Sequence, residues 1–346
     1  VYKRQGYTGE LIARQAVEQG LKPVLAGRNE ETVGQLAREL KLDYRVFGLG
    51  ESGAVARHLD DMELVLHCAG PFSATSAPMI EACLLAKAHY LDITGEISVF
   101  EHAQAQHVRA KQAGIVICPG VGFDVIPTDC VAAKLKEAMP DATHLALGFD
   151  SRSGFSPGTA KTSVEGMAQG GKIRHAGQIQ TVPLGYKVRL IDFGAGNKQA
   201  VTIPWGDVST AFYTTKIPNI EVYIPAPPKL IAGMKRANLI KPLLGLSWVQ
   251  KLIKSRIEKN VKGPNAEQRE KMPTYVWGEV SNAAGMSKTA RVKTANGYTV
   301  TLHGSLAVAE KLLTDPPVTG GSYTPSQLMG SDFVSTLPES GPVQLT

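Results

Sequence analysis

The chain offers no cysteine framework. Its four cysteines, Cys68, Cys83, Cys118 and Cys130, stand far apart and form no CxxC pair. That excludes a disulfide-stapled scaffold and a zinc-cluster module, and free thiols in a reducing compartment are expected. No apolar run approaches the roughly 18 residues that a membrane-spanning helix needs. The opening, Val1-Tyr2-Lys3-Arg4-Gln5, lacks the apolar core of a signal peptide and does not begin with Met. The eight histidines show no HExxH or comparable spacing, so no metal centre is expected. Acidic residues are missing from one window only. Residues 229–262 carry nine basic residues and one acid, a net +8, whereas the whole chain is +6, so everything else sums to −2. The basic balance therefore belongs to one segment, and a nucleic-acid footprint along the chain is not supported.

What is present points to a folded enzyme-sized chain. With 346 residues, 43% hydrophobic and 20% charged, it can bury a sizeable core and is long enough for about two domains. The first part alternates strands and helices. Thr8 to Glu18 places Ile12 with Ala16 and Ala13 with Val17 at helical spacing. A strand is expected over Lys22 to Ala26, and a helix capped by Asn29 runs on to Leu40. Further strands are expected at Tyr44 to Phe47, Leu64 to Cys68, His89 to Ile93 and Ile115 to Cys118. Helices near Ala54 to Leu59, Ala77 to Ala86 and Ser98 to Ala113 separate them. Strands divided by helices of this length imply βαβ units and a parallel sheet. Beyond about residue 122 the pattern changes. A helix near Thr128 to Ala138 leads to the strand Leu145 to Phe149. A helix near Gly158 to Gln169 is followed by strand-like segments at Ile173 to Gln180, Tyr186 to Asp192, Ala200 to Ile203, Tyr275 to Val280 and Ser287 to Thr294. A long helix is expected over Tyr298 to Leu313.

Several motifs sit where such a sheet binds ligands, beyond the carboxyl ends of its strands. Gly6-Tyr7-Thr8-Gly9 opens the first helix, where spaced glycines and free N–H groups suit a pyrophosphate. After the second strand, Arg28 and Asn29 stand where an NAD site would carry an acid. Arg28 is placed to meet a 2′-phosphate, which favours NADP over NAD. Ala69, Gly70, Pro71 and Phe72 follow a buried strand and are expected to line the middle of the cofactor. Asp92 and Glu96, two carboxylates at the next strand end, are candidates for substrate holding or proton transfer. Asp124 and Ser156 join them as catalytic candidates. Asp124 or Asp129 could equally cap the helix that follows, and Ser156 lies in a turn that opens a helix. His67 sits in an apolar strand and reads as a core residue. In the basic segment, Val249, Leu252, Ile253 and Ile257 share one helical face, as in a membrane-surface helix or in a lid or dimer-contact helix with a solvated basic side.

GYTGELIARQAVEQG, PVLAGRN, HCAGPF, YLDITGE, GVGFDVIPTD and SPGTAKTS, in this order and at these spacings, resemble the saccharopine dehydrogenase-like oxidoreductases. The likeness is to the stand-alone branch that includes the trans-acting enoyl reductases, and it extends to GEVSNAAG, NGYTVTL and TPSQLMGSDFVSTLP. The resemblance implies an α/β fold: a doubly wound, parallel Rossmann domain for NADP over 1–122, then a mixed α+β domain for substrate and dimer contacts over 123–346. The carboxyl-terminal part of the latter is expected to pack back on the first domain. The family's phosphate turn reads GATGYTG. Lys3-Arg4-Gln5 stand where its Gly-Ala-Thr would be, and the strand before it is absent. The start is therefore expected to be truncated and not native over residues 1–5, which would weaken nucleotide binding. The function expected is an NADPH-dependent reductase of an imine, enoyl or carbonyl group on a small-molecule or acyl-type substrate. The alternative is a non-catalytic nucleotide-binding or lipid-associated protein of the same fold. A homodimer, a cytoplasmic location and a peripheral contact of 229–262 with the inner membrane surface or an acidic partner complete the expectations.

Overall fold

A computed structural model describes residues 7–151, 170–240, 272–317 and 319–346. The chain separates into two compact units, Val1–Phe123 with Thr301–Leu328, and Asp124–Val300 with Met329–Thr346. The chain thus enters the second unit at Asp124, and residues 301–328 belong with the first.

The first unit runs α1 (Tyr7–Glu18), β1 (Leu25–Gly27), α2 (Glu30–Leu40), β2 (Tyr44–Val46), α3 (Ser52–Arg57), β3 (Leu64–His67), α4 (Phe72–Ala86), β4 (His89–Asp92), α5 (Ile97–Ala105), α6 (His107–Ala113) and β5 (Val116–Cys118). Asn29 starts α2 as expected: its backbone is extended and its side-chain oxygen accepts from the Thr32 N–H at 2.9 Å. The helix expected over 98–113 is instead two. It breaks at Gln106, whose backbone leaves the helical region (φ −86°, ψ 1°). Every strand pair is parallel: β1 with β2, and β3, β4, β5 and Gly321–Ser322 in a second group. Among the described residues these two groups are not bonded to each other. Helix α1 spans them. Its Ala13 packs with Leu25, Val33 and Leu36, while Ile12 and Ala16 pack with Leu66, Cys68 and Leu306. Neighbouring residues of β3 face opposite ways. Leu66 joins that cluster, whereas Val65 joins Ile80, Cys83, Tyr90 and Ile117 on the other side. Both faces of the sheet are therefore covered, as a doubly wound parallel sheet requires. This is a Rossmann-like domain.

The second unit runs α7 (Ile126–Ala138), β6 (His144–Ser151), β7 (Gly171–His175), β8 (Gln178–Val182), β9 (Val188–Asp192), β10 (Asn197–Thr202), α8 (Asp207–Thr215), β11 (Asn219–Pro225), α9 (Pro228–Ala237), β12 (Thr274–Ser281) and β13 (Ser287–Thr294). Its sheet is mixed. The order from Gln344–Leu345 is β13-β12-β6-β11-β10-β9, with the β7–β8 hairpin branching from β11. Among the described residues only β6 and β11 of this sheet pair in parallel. Ile173 to Gln180, expected as one segment, folds back on itself at Ala176-Gly177, both with positive φ, the geometry of a two-residue hairpin turn. Helix α7 lies on the sheet where Gly278 leaves room. A Cβ there would fall 2.6 Å from Val131 and 2.8 Å from Leu135. The helix expected over 158–169 lies outside the described residues.

Candidate functional site

In the first unit the carboxyl ends of β3, β4 and β5 and the amino end of α1 carry most of the expected residues. Gly9 has a clear physical task. A Cβ on it would stand 3.2 Å from the Cβ of Cys68, so glycine is what lets the first turn of α1 lie against the end of β3. That is the helix–strand packing role of the last glycine in a dinucleotide fingerprint. Tyr7 and Thr8 belong to the same opening turn, whose backbone N–H groups have no partner within the helix. Gly6 lies outside the described residues.

At the end of β1, Arg28 is exposed and makes no hydrogen bond or ion pair among the described residues. Asn29 beside it uses its carbonyl oxygen on Thr32, both on the N–H and on the hydroxyl, at 2.9 Å each. Only the Asn29 amide nitrogen remains for a ligand.

Ala69, Gly70, Pro71 and Phe72 form the loop from β3 into α4, and the first three are exposed. The Thr75 hydroxyl, one turn into α4, reaches back to the Ala69 carbonyl at 2.7 Å. His67 Nε2 meets the same hydroxyl at 3.0 Å. With the Thr75 hydrogen given to Ala69, the imidazole is the donor in that pair. Burial holds the His67 ring neutral, with its pKa pushed down to about 4. Its ring and that of Phe72 stand nearly perpendicular, with centroids 5.6 Å apart. His67 is thus a core residue that shapes the loop.

The two carboxylates expected to act on substrate are engaged elsewhere. Glu96 accepts from the N–H of Phe72 at 3.0 Å and of Ser73 at 2.9 Å, one on each oxygen. It caps α4 from 23 residues away, because Pro71 at the helix start has no side-chain cap to give. Asp92 is fully buried. Its Oδ1 accepts from the N–H groups of Thr94 (3.0 Å) and Gly120 (2.9 Å), and its Oδ2 from the Tyr90 hydroxyl (2.7 Å). Desolvation raises its carboxyl to about 6, against the pull of those three bonds. Asp92 therefore ties the end of β4 to the loop after β5, and Glu96 ties the loop after β4 to the loop after β3. Together they lace three successive loops at the carboxyl ends of these strands, a structural task beside the substrate-holding or proton-transfer role expected of them.

Asp124 belongs to the second unit. Its carbonyl accepts from Trp205 Nε1 at 3.0 Å, and desolvation raises its carboxyl to about 7. Asp129 is buried in α7 and bonded by the Thr214 hydroxyl, so it does not cap the helix. Ser156 lies outside the described residues. The sequence reading missed Thr75, Gly120 and Trp205. Gly120 carried a signal, since its positive φ of 77° suits glycine; the other two had none.

The basic segment is described only to residue 240. There Ile231 and Met234 of α9 pack with Val201, Ala226 and Ile224, so this part of its apolar side is covered. The face through Val249 and Ile257 lies outside the described residues. Among the described residues no helix is long and apolar enough to cross a membrane, and no cluster of His, Cys, Asp and Glu could hold a metal ion.

Parallel strands, an opening helix packed through glycine on the end of β3, and loops laced together at the strand ends are the features of a Rossmann-like fold of the dinucleotide-binding type. Residues 5–118 match the family model of the saccharopine dehydrogenase NADP binding domain. The comparisons thus show a likeness to the saccharopine dehydrogenase-like oxidoreductases, and the matched third of the chain is similar to a domain described as NADP binding. A probable mitochondrial saccharopine dehydrogenase-like oxidoreductase of Arabidopsis thaliana is 29% identical over 193 residues, 49% of this chain and 42% of that protein. The trans-acting enoyl reductase of Mycobacterium bovis is 26% identical over 200 residues, 53% of this chain and 47% of that protein. The chain spans about half the length of the curated relatives it matches. Apo saccharopine dehydrogenase (L-Glu forming) from Saccharomyces cerevisiae shares the fold, with a TM-score of 0.61 at 11% identity over 99% of this chain and 98% of that one.

Proposed function

We propose that this chain is an NADPH-dependent reductase that adds a hydride and a proton across a C=N, C=C or C=O bond of a small-molecule or acyl-type substrate. The observation that carries the cofactor choice is Arg28, a solvated guanidinium with no partner among the described residues, at the end of β1 and inside the matched domain. No acid stands between it and Glu30 to take a ribose hydroxyl. The opening turn Gly6, Tyr7, Thr8 and Gly9 would hold the pyrophosphate. Arg28 and the Asn29 amide would face the adenosine phosphate, and Ala69 to Phe72 the middle of the cofactor. The cofactor supplies the hydride. The protein's own contribution is orientation: Glu96 and Asp92 hold the loops in place before a ligand arrives, so little ordering remains to be done on binding. Asp124, with its carboxyl raised to about 7, is the group whose acidity suits proton donation near neutral pH. Nucleotide titration tests the reading. Arg28→Ala is expected to weaken NADP about 10- to 100-fold, the worth of a charge-assisted hydrogen bond or two, and to leave NAD nearly unchanged. Equal losses for both nucleotides would remove the assignment.

A second reading has one observation behind it. Leu230 is 52% and Leu239 84% exposed beside Lys229, Lys235 and Arg236, a pairing that suits an anionic membrane surface. Flotation with anionic vesicles is its test, and a chain that stays at the bottom of the gradient excludes it.

A further inference from the structure

Helices α7 and α8 of the second unit meet along a buried polar seam. From α8 come Asp207, Thr210 and Thr214, spaced so that they share one helical face. From α7 come Thr128 and Asp129. Asp207 and Asp129 are 0% exposed. Hydrogen bonds cross the seam between Thr214 and Asp129 and between Thr128 and Asp207. The second raises a question of hydrogen supply. The Thr128 hydroxyl lies 2.5 Å from Asp207 Oδ1 and 3.0 Å from the Val125 carbonyl. A threonine has one hydroxyl hydrogen and cannot give it to both. The other oxygen, Asp207 Oδ2, is buried with no partner at all, and so is the Thr210 hydroxyl one turn along.

An ionised Asp207 would therefore be a buried anion held by one side-chain hydroxyl and its own backbone N–H, with one oxygen unpartnered, next to a second buried carboxylate at Asp129. That is the environment a carboxylate tolerates least. A carboxylic acid fits instead. Its O–H donates to Thr128 Oγ1, Thr128 donates to the Val125 carbonyl, and the remaining oxygen is an uncharged acceptor whose burial is far less costly. Desolvation, with Asp129 and Asp124 adding to it, raises the Asp207 carboxyl well above its ordinary value. Arg174, on β7 beneath α8, does not neutralise it. Its guanidinium bonds the carbonyls of Val208 and Gly177 at 2.6 Å each and lies 4.1 Å over the Phe212 ring.

We propose that Asp207 is a positioning residue, kept as a neutral acid, whose proton fixes the Asp124–Thr128 turn through Thr128. The turn has two held carbonyls. That of Asp124 takes the Trp205 indole N–H, and that of Val125 takes both the Thr128 hydroxyl and the Asp129 N–H. Loss of the proton turns the Thr128 hydrogen toward the new carboxylate and removes it from Val125, at the point where the chain leaves Asp124 and enters α7. The proposal rests on the reductase reading only in giving Asp124 a role. The proton itself stands on the seam.

The full-length chain tests it. Folding stability of the wild type is expected to keep falling as the pH rises above the ordinary carboxylate range, because the folded form holds a proton that the unfolded form has released. Asp92 and Asp124, raised to about 6 and about 7, contribute to the same fall in wild type and variant alike, so the difference between the two profiles is what reports on Asp207. Asp207→Asn is expected to flatten the profile there. Thr128→Ser keeps the hydroxyl and should retain the wild-type profile, whereas Thr128→Val should change it. Should Asp207→Asn not fold, the infrared spectrum of the wild type at about pH 8 still decides. A protonated-carboxyl carbonyl band is expected to persist, and to move in Thr128→Val but not in Thr128→Ser. Parallel pH profiles for wild type and Asp207→Asn, or the absence of that band, overturn the proposal whatever the nucleotide titration of Arg28→Ala shows. Its failure and that of the functional reading are thus told apart.

Discussion

Asp92 in the first unit and Asp207 in the second are both completely buried, yet they are opposite kinds of acid. Asp92 sits at a strand end and receives two backbone N–H groups and a phenol hydroxyl. Asp207 sits at a helix start and has one threonine hydroxyl, its own backbone N–H and an oxygen with nothing. Desolvation pushes both carboxyls upward. Three donors hold Asp92 to about 6, while the Asp207 carboxyl is raised well above its ordinary value. Burial alone therefore does not say what an acid is for. The number of donors within reach decides whether it is an ionised brace between loops or a neutral group that gives a hydrogen bond away.

The largest expected effect breaks the brace. Asp92→Ala leaves the Thr94 and Gly120 N–H groups and the Tyr90 hydroxyl buried without an acceptor. At about 1–3 kcal/mol for an unsatisfied buried donor, with some relief by relaxation, the loss should be about 3–5 kcal/mol in denaturant unfolding of the first unit. A loss below about 1 kcal/mol would show that the loops hold without it. The same residue sets a pH window. Its folded carboxyl is raised to about 6, against about 4 in an unfolded chain. The stability this represents is fully present below pH 4 and is lost as the pH rises through 6. Asp92→Asn should remove that part of the slope and leave the part above pH 7.

Glu96→Ala is the next largest. It opens the first turn of α4 by removing two acceptor contacts, an expected loss of about 1–2 kcal/mol by analogy with other caps. It should also loosen Ala69 to Phe72, so NADP affinity is expected to fall while the Arg28-dependent preference over NAD stays. An unchanged affinity would detach this loop from the cofactor.

Which of these features could be seen in the sequence follows from how far apart their partners lie. The parallel βαβ order of the first unit was legible because each helix and strand carries its own period. The Asn29 cap was legible because donor and acceptor are three residues apart. The resemblance likewise pointed to the dinucleotide turn. The roles of Asp92 and Glu96 were not legible. Carboxylates at strand ends in such a sheet read as chemistry, and only the fold brings Gly120 to one and Phe72 to the other. In the second unit, α8 and β11 went unseen. Asp207 to Thr215 is rich in threonine and aromatic residues that favour strands, and tertiary packing overrides that preference. β11 follows Pro218 and ends on Pro225, prolines that read as loop, although it pairs with β6, β10 and β7. Gln106 gave no sign of breaking a helix, since glutamine is an ordinary helix former.

The smallest expected effect sharpens the contrast between near and distant caps. Asn29 and Glu96 perform the same physical task, supplying an oxygen to the free N–H groups at a helix start. Asn29 does so from the adjoining residue and is itself exposed. Solvent can replace it, so Asn29→Ala should cost about 1 kcal/mol and Asn29→Gly only a few tenths. Glu96 also pins a loop belonging to another part of the chain, so water cannot restore what it does. Nucleotide titration of the two Asn29 variants carries the comparison to the site. If the Asn29 amide reaches the adenosine phosphate, NADP should weaken by a similar factor in both, even though their stabilities differ. If affinity instead tracks stability, Asn29 is a cap alone and Arg28 alone reads the phosphate.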